Sequence, residues 1–131
     1  MAVESARMVG LKGADIVLLP IMGDFRADRW DLGPPAFHED RWRTIMRAQA
    51  LDNQFAVVVA RNRSTGSCIV TRQGEFLAWN DGNEPFVTAD VPREDAFRSW
   101  SGSDFRDSTW MVRRPHLYDS FNDSANYGGS A

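Results

Sequence analysis

Residues 54–62, with the sequence QFAVVVARN, carry the strongest fold signal in the chain. Their central part, residues 55–60, is continuously apolar and rich in valine, which is typical of a short strand that is covered on both faces. A second apolar run, IVLL over residues 16–19, ends at Pro20 and has the same character. Both runs are far too short to cross a bilayer. Two such strands predict a layered α/β fold with covered sheet faces.

Helical periodicity surrounds these strands. A strong helix is predicted over about residues 37–53, and a shorter helix over residues 2–12 ends at Gly13. Residues 67–79 predict a β-hairpin with Gly74 in its turn, and residues 85–91 predict a further strand. The chain from Arg93 onward has no clean period and is expected to form an extended arm, with a disordered tail over residues 122–131. One long helix is too little to cover both faces of the two strands, so part of the cover is missing.

Composition narrows the class of protein. The chain has 131 residues, of which 43% are hydrophobic, and this suits a single globular domain. Its start, MAVE, has neither a basic stretch nor an apolar core, so no signal peptide is predicted and the cytoplasm is the expected location. Lys12 is the only lysine among 15 basic residues, and 18 acidic residues give a net charge of −3. This balance argues against nucleic acid as a partner, and no membrane segment is predicted.

The residues capable of chemistry are few. Cys68 is the only cysteine, and the two histidines, His38 and His116, have no spacing that pairs either with it as a base. Because Cys68 lies in an apolar strand, we expect it to be a core residue rather than a nucleophile. Neither a zinc site nor a cofactor motif is predicted. One acidic cluster lacks the pattern of a calcium loop and is expected to be solvated surface; it comprises Asp104, Asp107, Asp119 and Asp123.

The order of several short motifs resembles the carbon–nitrogen hydrolase (nitrilase) superfamily, in the stretch just after its catalytic cysteine. The motifs are ESAR at 4–7, GADIVLLP at 13–20, RAQALDN at 47–53 with the strand up to Asn62, SCIV at 67–70 with GEFLA at 74–78, VTADV at 87–91, and RRP at 113–115 with Leu117 and Tyr118. This resemblance implies that residues 1–121 are the C-terminal half of a four-layer α-β-β-α sandwich. Such sandwiches are usually homodimers whose C-terminal arms cross the interface. A half sandwich would explain the missing cover.

The family's chemistry uses a glutamate base, a lysine that stabilises the oxyanion and a cysteine nucleophile. By the resemblance all three precede the portion seen here, so no catalytic residue is assigned in this chain; Cys68 and Lys12 do not match the catalytic positions. The loop over residues 21–37 corresponds to a pocket-lining part of the family. Its arginines would fix a substrate carboxylate, or alternatively pair with the aspartates of the same loop. The predicted substrate-binding residues are Met22, Phe25, Arg26, Arg29 and Trp30.

Three functional hypotheses follow from the resemblance. The chain is a truncated or mis-started form of an enzyme that hydrolyses amide, nitrile or carbamoyl C–N bonds, or a natural fragment that a separate N-terminal half completes in trans. The third hypothesis is a non-catalytic dimerisation module. In each case the chain alone is predicted to be inactive and to be marginally stable, oligomeric or insoluble, because half a sandwich exposes an apolar sheet face.

Overall fold

The computed structural model describes residues 3–21, 38–62, 65–93 and 112–117. The chain divides into two compact units, Met1–Phe97 and Arg98–Ala131. The first unit contains the helices α1 (Val3–Leu11) and α2 (Glu39–Asn53) and the strands β1 (Ile16–Ile21), β2 (Ala56–Arg61), β3 (Cys68–Val70) and β4 (Phe76–Trp79). In the second unit the described residues 112–117 are exposed and include one turn of 3₁₀ helix, Pro115–Leu117.

The four strands form one sheet in the order β1-β2-β3-β4. β1 and β2 are parallel, with Ile16 opposite Ala56 and Ile21 opposite Arg61. Parallel neighbours require a crossover connection, and α2 lies in the chain between them. β3 is antiparallel to both β2 and β4, as a hairpin requires. The predicted layered α/β fold is therefore confirmed, with a mixed rather than purely parallel sheet.

Both helices pack against one face of this sheet. Alternate strand residues meet Ala6 of α1 and Met46 and Ala50 of α2 in a single core. Phe55, which joins α2 to β2, is fully buried. Burying each such large side chain contributes roughly 1.5–3 kcal/mol, so this layer is the source of most of the unit's stability. The strand residues of this core are Val17, Val57, Val59, Cys68 and Val70.

The other face of the sheet is open along β1. Leu18 is 71% exposed and Ile16 is 52% exposed, whereas Val17 between them is 9% exposed. The prediction that β1 is covered on both faces is thus wrong for the described residues, because an apolar run does not specify which layers are present. The exposure agrees with the expectation that part of the cover is missing. Pro20, which has no N–H to donate, sits on this strand, and β1 is an edge strand among the described strands.

The ends of the elements explain why the chain turns where it does. Gly13 follows α1 with φ 88°, as predicted for a C-terminal cap, and its N–H donates to the carbonyl of Gly10. α2 begins at Glu39, two residues later than predicted, and ends at Asn53. Gln54 then adopts a left-handed conformation (φ 54°), and its amide donates to the carbonyls of Leu51 and Arg72. This buried side chain ties the end of α2 to the hairpin.

The predicted hairpin turn is confirmed. Gly74 has φ 79°, and the Gly74 N–H donates to the carbonyl of Thr71. The Thr71 hydroxyl accepts hydrogen bonds from the backbone of Gln73 and Glu75, which stabilises the turn from within. Next to the turn the register between β3 and β4 shifts by one residue. Val70 is opposite Phe76 but Ile69 is opposite Ala78, so Leu77 of β4 has no residue opposite it.

The predicted strand over residues 85–91 is wrong, because the described chain beyond β4 contains no strand. The side chain of Asn80 accepts a hydrogen bond from the Gly82 N–H and donates one to the Glu84 carbonyl, which turns the chain away after β4. Half-buried Val87, Ala89 and Val91 still alternate with more exposed neighbours. Alternating apolar residues therefore indicate that one side of a segment is buried. They do not show that the segment is hydrogen-bonded to a neighbouring strand.

Candidate functional site

The carboxyl ends of β1 and β2 lie at the same edge of the sheet, because the two strands are parallel. Ligands of open α/β sheets bind outside such carboxyl ends. An open cleft of about 310 Å³ occupies this edge. Its lining consists of Pro20, Ile21, Ala60, Arg61 and Asn62. We call it the carboxyl-edge cleft, and it is the candidate functional site of the described residues.

Arg61 is the charged residue of this cleft, and its position is fixed from several sides. Its backbone N–H donates to the Ser67 hydroxyl at 2.9 Å, and its Nη1 donates to the Thr65 carbonyl at 2.9 Å. Its guanidinium carbon lies 5.0 Å from the centre of the Trp42 ring, within the range of a cation–π contact. The guanidinium is therefore preorganised at the edge.

The frame around Arg61 is built from backbone hydrogen bonds between the β2–β3 connection and the end of β4. The Gly66 N–H donates to the Asn80 carbonyl and the Asn80 N–H donates to the Ser67 carbonyl, each at 2.9 Å. From α2, Trp42 Nε1 donates to the Gly66 carbonyl at 2.9 Å. Gly66 thus links α2, the β3–β4 hairpin and the carboxyl-edge cleft. Asn62 extends the parallel ladder by donating its N–H to the Ile21 carbonyl at 3.3 Å.

The predicted substrate-binding residues Met22, Phe25, Arg26, Arg29 and Trp30 lie outside the described residues. Their segment follows β1 directly in the chain, and β1 ends in the carboxyl-edge cleft. Sequence reasoning missed Arg61 and Asn62 as lining residues of this cleft. A signal existed, because Arg61 is the first charged residue after the valine-rich run. Polar residues at the carboxyl end of a buried strand are natural candidates for a binding site.

Cys68 is a core residue, as predicted. Its side chain is 1% exposed, and in the sheet it is opposite Val59 on one side and Trp79 on the other. Burial raises the pKa of the Cys68 thiol to about 11, although the nearby Arg43 guanidinium acts in the opposite direction. A nucleophilic cysteine needs a lowered pKa and access to substrate, and Cys68 has neither.

The lysine and the two histidines of the described residues do not gather into a site. Lys12, His38 and His116 are each exposed on separate segments. Within residues 3–21, 38–62, 65–93 and 112–117, no group of three or more acidic, histidine or cysteine side chains is placed to hold a metal ion. The acidic cluster of Asp104, Asp107, Asp119 and Asp123 falls outside these ranges. The described helices also include none that is long and apolar enough to span a membrane.

The carboxyl-edge cleft can bind but has no reactive group of its own among the described residues. Arg61 supplies a planar set of N–H donors that suits a carboxylate or a carbonyl oxygen. Pro20, Ile21 and Ala60 supply an apolar wall. The chain's one thiol is buried in the core rather than exposed. This geometry suits the recognition and positioning of a ligand rather than bond cleavage.

Solved structures resemble this fold over most of its length. A carbon–nitrogen hydrolase from Helicobacter pylori G27 has a TM-score of 0.65 and 22% identity, and the match covers 92% of this chain and 45% of that chain. The NitN amidase from Neterenkonia sp. AN1 has a TM-score of 0.58 and 18% identity, covering 92% and 41% of the two chains. An amidase from Nesterenkonia sp. has a TM-score of 0.57 at 18% identity and is matched over 39% of its length. The chain therefore spans less than half the length of each of these structures.

The solved structures show the fold of the chain, whereas sequence comparison gives its family. No curated protein matches the chain closely enough to count as a relative. The family model described as carbon-nitrogen hydrolase, however, matches residues 2–99 of 131, well over half of the chain. The motifs at residues 4–91 on which the resemblance was based lie inside this match, whereas the arginine-rich signature at 113–118 lies beyond it. The chain belongs to the carbon–nitrogen hydrolase family.

Proposed function

We propose that residues 1–121 form the C-terminal part of a carbon–nitrogen hydrolase domain that cleaves amide, nitrile or carbamoyl C–N bonds and needs an N-terminal part for catalysis. The family match over residues 2–99 is the observation that carries this proposal. Coverage of only 39–45% of the three solved structures supports the second half of it. The catalytic glutamate, lysine and cysteine are then contributed by the N-terminal part.

The exposed face of the sheet supports the proposal that a further layer covers it in the complete domain. Leu18 and Ile16 are more than half exposed on the face opposite the helices. A side chain of this size stabilises a fold by roughly 1.5–3 kcal/mol when it is fully buried. Leu18 and Ile16 are mostly exposed, so most of this stabilisation is absent here. A second sheet packed on this face, at the usual separation of about 10 Å, would recover that free energy. This is the arrangement of an α-β-β-α sandwich.

In the completed domain the carboxyl-edge cleft forms part of the substrate pocket. Arg61 at the end of β2 and Asn62 directly after it line this cleft. The segment that follows β1 in the chain contributes Met22, Phe25, Arg26, Arg29 and Trp30. Arginine in this pocket favours substrates that carry a carboxylate besides the scissile C–N bond. Pairing of Arg26 and Arg29 with the aspartates of their own loop is the alternative role. The protein is further proposed to act as a homodimer in the cytoplasm, and its single buried cysteine is compatible with a reducing compartment.

The decisive experiment is to isolate the native protein from its source with an antibody raised against this chain. Its intact mass is compared with the 14.8 kDa of this chain, and ammonia release is measured with a panel of short amides and nitriles. We expect either a longer chain or a stable complex with a second polypeptide, and we expect ammonia release. A 14.8 kDa chain that releases ammonia unaided would contradict the need for an N-terminal part.

The second candidate, a non-catalytic dimerisation module, rests on the same open face of β1, which two copies of the chain would cover equally well. It predicts a different result in the same experiment. The native species would then be a dimer of 14.8 kDa chains that releases no ammonia from any substrate of the panel. That outcome would overturn the hydrolase proposal while leaving the family assignment intact.

A further inference from the structure

A second cavity lies at the opposite edge of the sheet, at the amino ends of β1 and β2. Its volume is about 230 Å³, and it is more enclosed than the carboxyl-edge cleft. Ile16, Val91 and Pro92 give it an apolar wall, while Asp15, Arg72 and Arg93 are its charged residues. Each strand of six residues rises about 3.3 Å per residue, so the two cavities are roughly 16 Å apart. The amino-edge cavity is therefore separate from the proposed substrate pocket.

Arg72 is the most informative residue of the amino-edge cavity. Its side chain is only 11% exposed, yet its ion pair with Asp15 is long, with 3.3 Å between Nη2 and Oδ1. Asp15 is itself 58% exposed, so water competes for its carboxylate. Among the described residues Asp15 is the one acidic side chain that pairs with Arg72. A guanidinium has five N–H donors, so the single contact with Asp15 leaves donors of Arg72 available to a ligand in the cavity.

The charges of the cavity do not balance. Arg72 and Arg93 contribute two positive charges and Asp15 contributes one negative charge, which leaves one positive charge among the lining residues. Arg93 is exposed at the cavity, where its side chain is accessible to a ligand. A single anionic group placed between the two arginines would neutralise the excess and would accept several of the remaining N–H donors.

We propose that the amino-edge cavity binds a small monocarboxylate with a short aliphatic chain. The carboxylate accepts hydrogen bonds from Arg72 and Arg93, and the aliphatic chain packs against Val91 and Pro92. A volume of about 230 Å³ corresponds to roughly eight waters at about 30 Å³ each, which suits an acid of four or five carbons. Because the wall is apolar, such an acid fits better than inorganic phosphate, which would leave that wall wet. This site does not depend on catalysis by the chain.

The test is equilibrium dialysis of the full 131-residue chain against radiolabelled butyrate. Dialysis measures bound ligand whatever the size of the protein species, so self-association of the chain does not obscure it. We expect saturable binding that unlabelled butyrate displaces. Butyramide, which has the same shape without the charge, should displace little. Inorganic phosphate should also displace little, because it lacks the aliphatic chain.

Matched variants locate the binding site. We expect Arg93→Gln, at an exposed position, to raise the Kd for butyrate roughly fivefold, and Arg72→Lys to raise it further because the planar fork is lost. Arg41→Gln removes the same charge from the exposed surface of α2 and should leave the Kd unchanged. Absence of saturable binding, equal displacement by butyramide or phosphate, or an unchanged Kd in Arg93→Gln would each overturn the proposal.

Discussion

Two adjacent residues of β1 allow the open sheet face to be tested directly. Val17 is 9% exposed in the core, whereas Leu18 is 71% exposed on the opposite face. Val17→Ala removes two buried carbons at about 0.8 kcal/mol each and leaves a small cavity, so it should lower the free energy of unfolding by roughly 2 kcal/mol. Leu18→Ala removes three carbons that are about 30% buried, which predicts a loss of only about 0.7 kcal/mol.

The assay is urea denaturation followed by tryptophan fluorescence, at protein concentrations low enough to keep the chain dispersed. Sedimentation velocity of Leu18→Lys at higher concentration then reports self-association. We expect this variant to associate less than the wild type, because a charge is placed on the open face. If Leu18→Ala costs as much as Val17→Ala, Leu18 is covered and the reasoning about the open face is refuted. Undiminished association of Leu18→Lys would show that copies meet through another surface.

Four further predictions concern Cys68, Gly74 and Arg43. Folding raises the pKa of Cys68 from 9.0 to about 11, so the free energy of unfolding should fall as the pH rises from 9 to 11. In urea titrations, Cys68→Ala should not show this fall. Native Cys68 should also react with iodoacetamide at pH 8 only as fast as the chain opens, with the unfolded chain as control. Gly74→Ala should lower the free energy of unfolding by roughly 1–2 kcal/mol, because a φ of 79° is unfavourable for a residue with a Cβ. An unchanged midpoint in urea titrations would contradict the turn geometry. Arg43→Gln should cost roughly 0.5–1 kcal/mol and alter tryptophan emission, because the guanidinium lies 3.9 Å from the Trp79 ring centre; Arg41→Gln is the control that should do neither.

The sequence was most informative where one local cause fixed the structure. The valine run of β2 and the periodic face of α2 are found within two residues of their predicted bounds. Gly13 and Gly74 stand at positive φ where a helix cap and a hairpin turn need them. In these places the apolar pattern and the turn chemistry agree, so little depends on distant parts of the chain.

Prediction was weaker where structure depends on a partner. Residues 85–91 have the alternation of a strand, but no described strand pairs with them, and alternation alone does not supply a hydrogen-bonding neighbour. In β1 the apolar run predicted cover on both faces, although the layer that would cover Leu18 is not among the described residues. A run of apolar residues indicates that a strand needs cover on both faces, but it does not indicate which part of the protein supplies that cover.

The candidate site shows the same division. The fate of Cys68 followed from its apolar surroundings, and its burial confirms that reasoning. Arg61 and Asn62 were missed, because their place in the cleft depends on two strands that are distant in sequence lying in parallel. The arginine pair at the amino edge was hidden for the same reason, since Arg72 and Arg93 come from the hairpin turn and the segment after β4. Sites assembled from separate segments are visible only once the register is known.

The parallel pairing of β1 with β2 also sets an order of folding. α2, β2 and the hairpin are close in sequence and can form early, but pairing Ile16 with Ala56 must close a loop of some forty residues. β1 is therefore expected to dock last and to detach first. The strand with the open apolar face is then also the one least firmly secured during synthesis. A newly made chain is most vulnerable to aggregation in the interval before β1 is captured, so early arrival of whatever covers this face would protect it.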